Sequence, residues 1–83
     1  MDIEREIFNR VAYLSNKESE YYQIEDNTED EVNQKYRLYH CKGYCADVSM
    51  EYDEETDRYD YRVSQHFEGF NVVSMTELLT VLN

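Results

Sequence analysis

Four residues with metal-binding side chains lie in one part of the chain. His40, Cys41 and Cys45 fall close together, and His66 follows downstream. Imidazole and thiolate groups are the common ligands of zinc. The Cys-x3-Cys spacing, however, is less typical of zinc sites than Cys-x2-Cys, and neighbouring strand residues point to opposite faces of a sheet. The pattern favours structural cysteines over a zinc site, and we predict no metal and no cofactor.

The same groups offer little for catalysis. A Cys–His pair can act as nucleophile and base, but on a strand His40 and Cys41 would not face each other. Paired carboxylates need a cleft that shifts their pKa values, and a chain of 83 residues seldom forms one. The acidic run 53–57 also lacks the glycine and glutamate that a calcium-binding EF-hand loop requires at its sixth and twelfth positions. We therefore predict no catalytic residue and no enzymatic activity.

Charge is the most distinctive property of the chain. Nineteen acids stand against eight bases, which gives a formal net charge of −11. Nucleic acids and anionic membranes are bound through lysine and arginine, so direct binding of either is not expected. Basic proteins or cations are the natural partners of such a chain. Plain solubility is the alternative explanation.

The acids concentrate in two windows. Fourteen of the nineteen lie in residues 18–31 and 47–60. Acids two apart on a strand project from one face about 7 Å from each other, and such a row can imitate the repeated charge of a nucleic-acid backbone. Tyr21, Tyr22 and Tyr44 lie near these acids and could anchor a partner, although packing in the core is the alternative for each. The predicted partner-binding residues are Glu25, Asp26, Glu29, Asp30, Glu31, Asp47, Glu51, Asp53, Glu54, Glu55, Asp57, Tyr59 and Asp60.

The elements that must position these residues follow from periodicity. Apolar residues at helical spacing predict a helix over about 2–15, capped by Asp2. We expect residues 16–34 to be mostly irregular, with two alternatives left open. Tyr21, Tyr22 and Ile24 could form a short strand, and Thr28 with Glu31 has the spacing of a capping box that would open a helical turn from residue 29.

From residue 35 the period changes to two, which predicts a strand that ends near residues 42–43. The clearest signal is a hairpin over 46–64, because apolar and charged residues alternate on both sides of the turn 53–57. Residues 67–73 could extend the sheet, with Gly69 as a bulge or bend. Ser74 and Glu77 then match a capping box that opens a helix over 75–82.

We therefore predict a single domain over 1–83 with an α+β fold. A three- or four-stranded antiparallel sheet is flanked by an N-terminal helix and a short C-terminal helix. The start of the chain lacks the pattern of a secretory signal, and two cysteines are too few for a disulfide scaffold. We expect a soluble cytoplasmic protein, as a monomer or homodimer. The helix residues Ile7, Val11, Leu78 and Leu82 are expected to pack on Val48, Met50, Tyr61 and Val63.

The chain resembles the small acidic inhibitors encoded by phages and mobile elements, of the anti-CRISPR and anti-restriction kinds. The resemblance lies in size, in the helix–sheet–helix order and in the acidic stretches 28–31 and 51–55. Several members of that class mimic DNA, and the class has no shared motif. The resemblance implies stoichiometric inhibition of a CRISPR effector or restriction enzyme in the host cytoplasm.

A second likeness is to small antitoxins, in which a three-stranded sheet is followed by a capped helix, as residues 59–82 would form. Those families usually carry a basic DNA-binding element, which is not evident here. The alternative function is therefore a neutralising protein that binds a small basic partner.

Overall fold

One helix, four strands and a second helix follow one another along the chain. The computed structural model describes residues 2–41, 43–65 and 74–83. The elements are α1 (Ile3–Leu14), β1 (Tyr22–Asp26), β2 (Asn33–His40), β3 (Cys45–Asp53), β4 (Arg58–Gln65) and α2 (Met75–Leu82). The predicted α+β fold is confirmed, and the sheet has four strands.

Helix α1 begins where the sequence provides a cap. The Asp2 carboxylate accepts the N–H groups of Glu4 and Arg5 at 3.1 and 3.3 Å. Four of its apolar side chains recur every three or four residues and are buried, so one side of the helix faces the core. The predicted helix over 2–15 is confirmed to within one residue at each end. The buried residues are Ile7, Phe8, Val11 and Leu14.

The sheet is an antiparallel meander in the order β1-β2-β3-β4, so each strand pairs with its neighbour in the chain. The register places Leu38 opposite both Ile24 and Ala46, and Val48 opposite Val63. These side chains share one face, as the alternation over 46–64 predicts. The predicted hairpin is confirmed, with its turn at 54–57.

The segment 16–34 differs from the prediction. The expectation of a mostly irregular segment is wrong over β1, and the alternative of a short strand is correct there. The predicted helical turn from residue 29 does not form. The Thr28 hydroxyl instead accepts the N–H of Lys35 at 3.2 Å, and the Thr28 N–H donates to Asp26. These bonds hold residues 27–32 as the connection of an antiparallel pair.

Helix α1 packs on one face of the sheet, and α2 packs against α1. Side chains of α1, α2, β2 and β3 form a single buried cluster, in which Ile7, Val11, Leu38 and Val48 are fully buried. The expected packing on the hairpin is confirmed for α1, with Met50, Tyr61 and Val63 at the edge of this cluster, whereas Leu78 and Leu82 join the cluster from a helix that mainly contacts α1. Neither described helix has the length and apolar character needed to cross a membrane.

Helix α2 also begins at its predicted cap. The Ser74 hydroxyl accepts the N–H of Glu77 at 3.2 Å, and the predicted helix over 75–82 is confirmed. The Arg10 guanidinium donates to the Leu82 carbonyl at 2.8 Å, which joins α1 to the end of α2. The predicted extension over 67–73, including the bend at Gly69, lies outside the described residues.

Candidate functional site

The two acidic windows meet at one end of the sheet. Because successive strands run in opposite directions, the β1–β2 connection (27–32) and the β3–β4 connection (54–57) lie at the same end. The register agrees, because Asn33 at the start of β2 pairs with Glu51 near the end of β3. Each connection contains three acids and no base. We call these six residues the acidic end: Glu29, Asp30, Glu31, Glu54, Glu55 and Asp57.

Hydrogen bonds order the first of these connections. The Asp30 carboxylate accepts the N–H groups of Val32 and Asn33 at 2.9 and 2.8 Å, and also the Asn33 side-chain amide at 3.3 Å. The Asn33 amide and these N–H groups lower the pKa of Asp30. The hydroxyl and N–H of Thr28 lower the pKa of Asp26 in the same way. Both groups are therefore charged at neutral pH, and the connection is held in one shape.

The β3–β4 connection is ordered by similar contacts. The Asp53 carboxylate accepts the N–H of Glu55 at 2.9 Å. Asp57 has a φ of 54°, in the left-handed region that aspartate tolerates better than most residues. Its carboxylate accepts the Tyr52 hydroxyl, and this hydrogen bond raises the pKa of Tyr52. The exposed Glu54 side chain makes no hydrogen bond or ion pair with any residue that the structure describes.

A recess opens beside the first connection. It has a volume of about 210 Å³, and its lining includes Glu29, Glu51, Asn33 and Gln34 together with one base, Lys35. Carboxylate and amide oxygens accept hydrogen bonds from ammonium and guanidinium groups. The recess therefore offers acceptors to a basic side chain, but its own Lys35 offsets part of their charge.

The face of the sheet opposite the helices has a different charge balance. Its register places Arg37 opposite Glu25, Ser49 between Lys35 and Arg62, and Asp53 opposite Arg58. Four bases are thus interleaved with the acids that strands contribute to this face. The predicted strand residues on it are Glu25, Asp47, Glu51, Asp53 and Asp60, and their row is not uniformly negative. Unbalanced negative charge is concentrated at the acidic end.

Asp47 is the clearest case of a balanced acid. Its carboxylate accepts two hydrogen bonds from Arg37, and the two side chains are 28% and 38% exposed. The bond to Asp47 is the main cause of a raised Arg37 pKa. Glu51, in contrast, lies directly opposite another acid, Asp60. Some of the predicted partner-binding acids are thus paired with a base of the same sheet, whereas others are not.

The tyrosines near the acids differ in exposure. Tyr59 is 45% exposed and its ring lies 5.3 Å from that of Tyr52, next to the β3–β4 connection. Tyr21 is 64% exposed but precedes β1, at the other end of the sheet. Tyr22 and Tyr44 are half-buried and pack against the core. Tyr59 is thus the aromatic residue placed to accompany the acidic end in a contact.

The cysteine–histidine stretch is not assembled as a metal site. His40 is buried, and its Nδ1 lies 3.9 Å from the Cys41 sulfur. The expectation that these neighbours would not face each other is wrong, because Cys41 lies in the turn after β2. Both cysteines are free, and burial raises the pKa of Cys45. Among the described residues, which exclude His66, no cluster of three His, Cys, Asp or Glu side chains could hold a metal.

Comparison of this chain with protein-family models, curated proteins and solved structures found no match. The candidate site therefore depends on geometry and charge alone. Sequence reasoning identified its six acids but missed the amides of Asn33 and Gln34 beside them. It also missed that the two windows meet, since that follows only from four strands in meander order.

Proposed function

We propose that this protein is a non-enzymatic inhibitor whose acidic end occupies the basic groove of a nucleic-acid-binding protein and excludes the nucleic acid. The observation that carries the proposal is the placement of two connections, each with three acids and no base, at one end of the sheet. A groove built to bind phosphates with lysine and arginine accepts carboxylates by the same hydrogen bonds.

The order within these connections supports recognition. Asp30 accepts the N–H of Val32 within the first connection, and Asp53, the last residue of β3, accepts the N–H of Glu55 in the second, so both connections are already shaped before a partner binds. A preordered surface loses less conformational entropy on binding than a flexible one. Glu29, Glu31, Glu54 and Glu55 are exposed and are the side chains placed to meet the partner's bases.

The uneven distribution of charge argues against solubility as the sole role. Solubility depends on net charge and does not require that charge be placed at one end. Here the open face of the sheet mixes acids with Lys35, Arg37, Arg58 and Arg62, whereas the acidic end has no base.

The partner that we propose is a defence nuclease such as a CRISPR effector or restriction enzyme, on the basis of the resemblance in size and layout. The acidic end also suits a small basic protein, as in a neutralising antitoxin. Competition distinguishes the two: a mimic is displaced by excess DNA or RNA, whereas a protein that neutralises a toxin away from its nucleic-acid site is not.

The test is affinity capture with the tagged protein from bacterial lysate at rising salt, followed by competition with duplex DNA and with RNA. We expect a basic nucleic-acid-binding protein that is released by salt and by nucleic acid. Recovery of no such protein would contradict the proposal.

Two matched variants separate a located site from general charge. Glu29→Lys with Glu55→Lys reverses two acids of the acidic end, whereas Glu6→Lys with Glu77→Lys reverses two helix acids away from both the acidic end and β1. Each reversal adds two charges, so both variants change from −11 to −7. We expect capture to fail with the first variant and to persist with the second. Equal loss in both would mean that net charge alone attracts the partner.

A further inference from the structure

The two edge strands of the sheet differ in whether their outward main-chain groups are hydrogen-bonded. Strand β4 forms one edge, and the N–H of Val63 donates to the Glu4 carboxylate of α1 at 3.1 Å. Strand β1 forms the other edge. An exposed strand edge presents unpaired N–H and C=O groups that can pair with another chain.

The bonds of β1 show which of its groups point outward. The N–H of Asn27 donates to Lys35 and the carbonyl of Tyr21 accepts from Cys41, so these odd-numbered positions face β2. In an antiparallel pair the direction alternates along the strand, so the groups of Tyr22, Ile24 and Asp26 point away from the sheet. The N–H groups of Tyr22 and Ile24 make no hydrogen bond with any described residue. The open edge spans roughly 14 Å at the usual strand rise.

Recesses lie on both sides of this edge. One, of about 260 Å³, lies between the end of α1 and β1, and its lining includes Leu14, Ile24, Glu18 and also Lys17, whose ammonium lies over the Tyr13 ring. The other, of about 440 Å³, is lined in part by Glu20 and Tyr21. The side chains of an added strand alternate between the two faces of a sheet, so neighbouring residues of such a strand would enter different recesses.

We propose that the edge of β1 is a docking site for an extended, lysine- or arginine-rich segment of the partner, which joins the sheet as a fifth strand. Each recess contains a glutamate, and Glu25 and Asp26 continue the negative charge along the strand. Main-chain hydrogen bonds would hold the segment, and its basic side chains would meet carboxylates on both faces. The inference rests on the proposed function only in taking the partner to be cationic.

A second copy of this chain is a poorer occupant. Pairing two β1 edges would bring together two molecules that each carry a net charge of −11. That repulsion is long-ranged at low salt and opposes association. Acids on an edge strand can also serve only to prevent such pairing, and the experiment below separates that role from docking.

The test uses the full chain, labelled with ¹⁵N, and a synthetic peptide of about nine residues in which pairs of lysines alternate with pairs of valines, so that lysines face both sides of an added strand. A peptide of equal length and charge with proline in place of valine is the control, because proline has no N–H to donate. We expect the valine peptide to slow amide hydrogen exchange at Tyr22, Ile24 and Asp26 by about tenfold or more, as new hydrogen bonds form. The proline peptide should leave exchange at these amides unchanged.

Two variants at one position provide the genetic test. Ile24→Pro removes an outward N–H without removing a bond to β2, whereas Ile24→Ala keeps that N–H and loses a comparable amount of packing. We expect Ile24→Pro to weaken binding of the valine peptide by roughly tenfold and Ile24→Ala by much less. If Ile24→Pro fails to fold, the inference is tested by amide hydrogen exchange at β1 in the unaltered chain with the valine peptide.

Three results would overturn the docking inference. The first is unchanged amide hydrogen exchange at β1, with peptide-induced chemical-shift changes only at the acidic end. That result would leave the proposed function standing. The second is equal binding of both peptides. The third is protection of the β1 amides in the free protein at high concentration, which would identify a second copy as the occupant of the edge. Failure of the proposed function is seen separately, as loss of nucleic-acid competition in the capture experiment.

Discussion

The Arg37 guanidinium holds the Asp47 carboxylate across β2 and β3 by two hydrogen bonds, at 2.8 and 3.2 Å. The sequence predicts Asp47 as a partner-binding residue, yet its carboxylate is already paired with Arg37 of the same sheet. A carboxylate in such a pair has less to offer to an external cation, because a partner would first have to compete with the guanidinium.

Two isosteric substitutions test this difference. Asp47→Asn and Glu55→Gln each remove one negative charge, so both variants have a net charge of −10. We expect Glu55→Gln to weaken partner binding severalfold and Asp47→Asn to change it little, since only Glu55 lies at the acidic end. Titration calorimetry with the captured partner provides the measurement. Equal losses would show that the acidic end has no special part in the contact.

The pairing of Glu51 with Asp60 should cost stability. Like charges directly opposite each other on neighbouring strands are destabilising, and cross-strand pairs contribute roughly 0.2–1 kcal/mol. We expect Asp60→Lys to raise the free energy of unfolding by an amount in that range. Urea denaturation measures the change, and Glu20→Lys, at an exposed position outside the paired strands, controls for net charge. A gain no larger than that of the control would show that the cross-strand repulsion is negligible.

The core offers a test of the sheet faces. Leu38 and Val48 are fully buried against the helices. Leu38→Ala should cost roughly 2–5 kcal/mol of stability through lost burial and the cavity left behind. Val48→Asp should unfold the domain, because it buries a charge without a partner. Ser49→Asp, one residue along β3 on the opposite face, should stay folded. Circular dichroism during thermal melting distinguishes these outcomes, and a normal melt for Val48→Asp would contradict the assigned faces.

The β1–β2 connection should loosen in acid. The pKa of Asp30 is lowered in the folded chain, so its contribution to stability is present above the ordinary aspartate pKa of about 3.9. That contribution is lost as the pH falls through the lowered folded value, when the carboxylate is protonated. We expect faster amide exchange at Val32 and Asn33 in this range, after correction for the intrinsic pH dependence. In Asp30→Asn the amides of Val32 and Asn33 should exchange faster at neutral pH, and their exchange should show no further increase in acid.

Strong alternation made the hairpin predictable from sequence. On β3 and β4 one face is buried and the other solvated, so period two is visible in the residues themselves. Strand β1 was predicted only as an alternative, because few residues supply that pattern and its structure depends on pairing with β2. The capping-box spacing of Thr28 was misleading, since its hydroxyl accepts from Lys35. Local spacing cannot reveal that competing long-range bond.

The acids of the site were predictable by type, whereas their grouping was not. The charges of residues 29–31 and 54–57 are evident in the sequence, but strand order and direction decide that they lie together. The pairing of Asp47 with Arg37 likewise depends on register between two strands. The type of each residue can be read from the sequence, but its neighbours on other strands cannot. The sequence therefore led only to the expectation of a row of acids on one strand, which is incomplete.

The meander also sets how this molecule would approach a positively charged surface. Two connections with three acids each lie at one end, whereas at the opposite end the β2–β3 connection (41–44) has no acid and the α1–β1 connection (15–21) has two, Glu18 and Glu20, with one base, Lys17. Such a molecule has a dipole moment along its strands, so the field of a basic groove exerts a torque before any atoms touch. In most encounters with such a groove, the acidic end then makes the first contact. Association should consequently be fast at low ionic strength and slow steeply as salt is added.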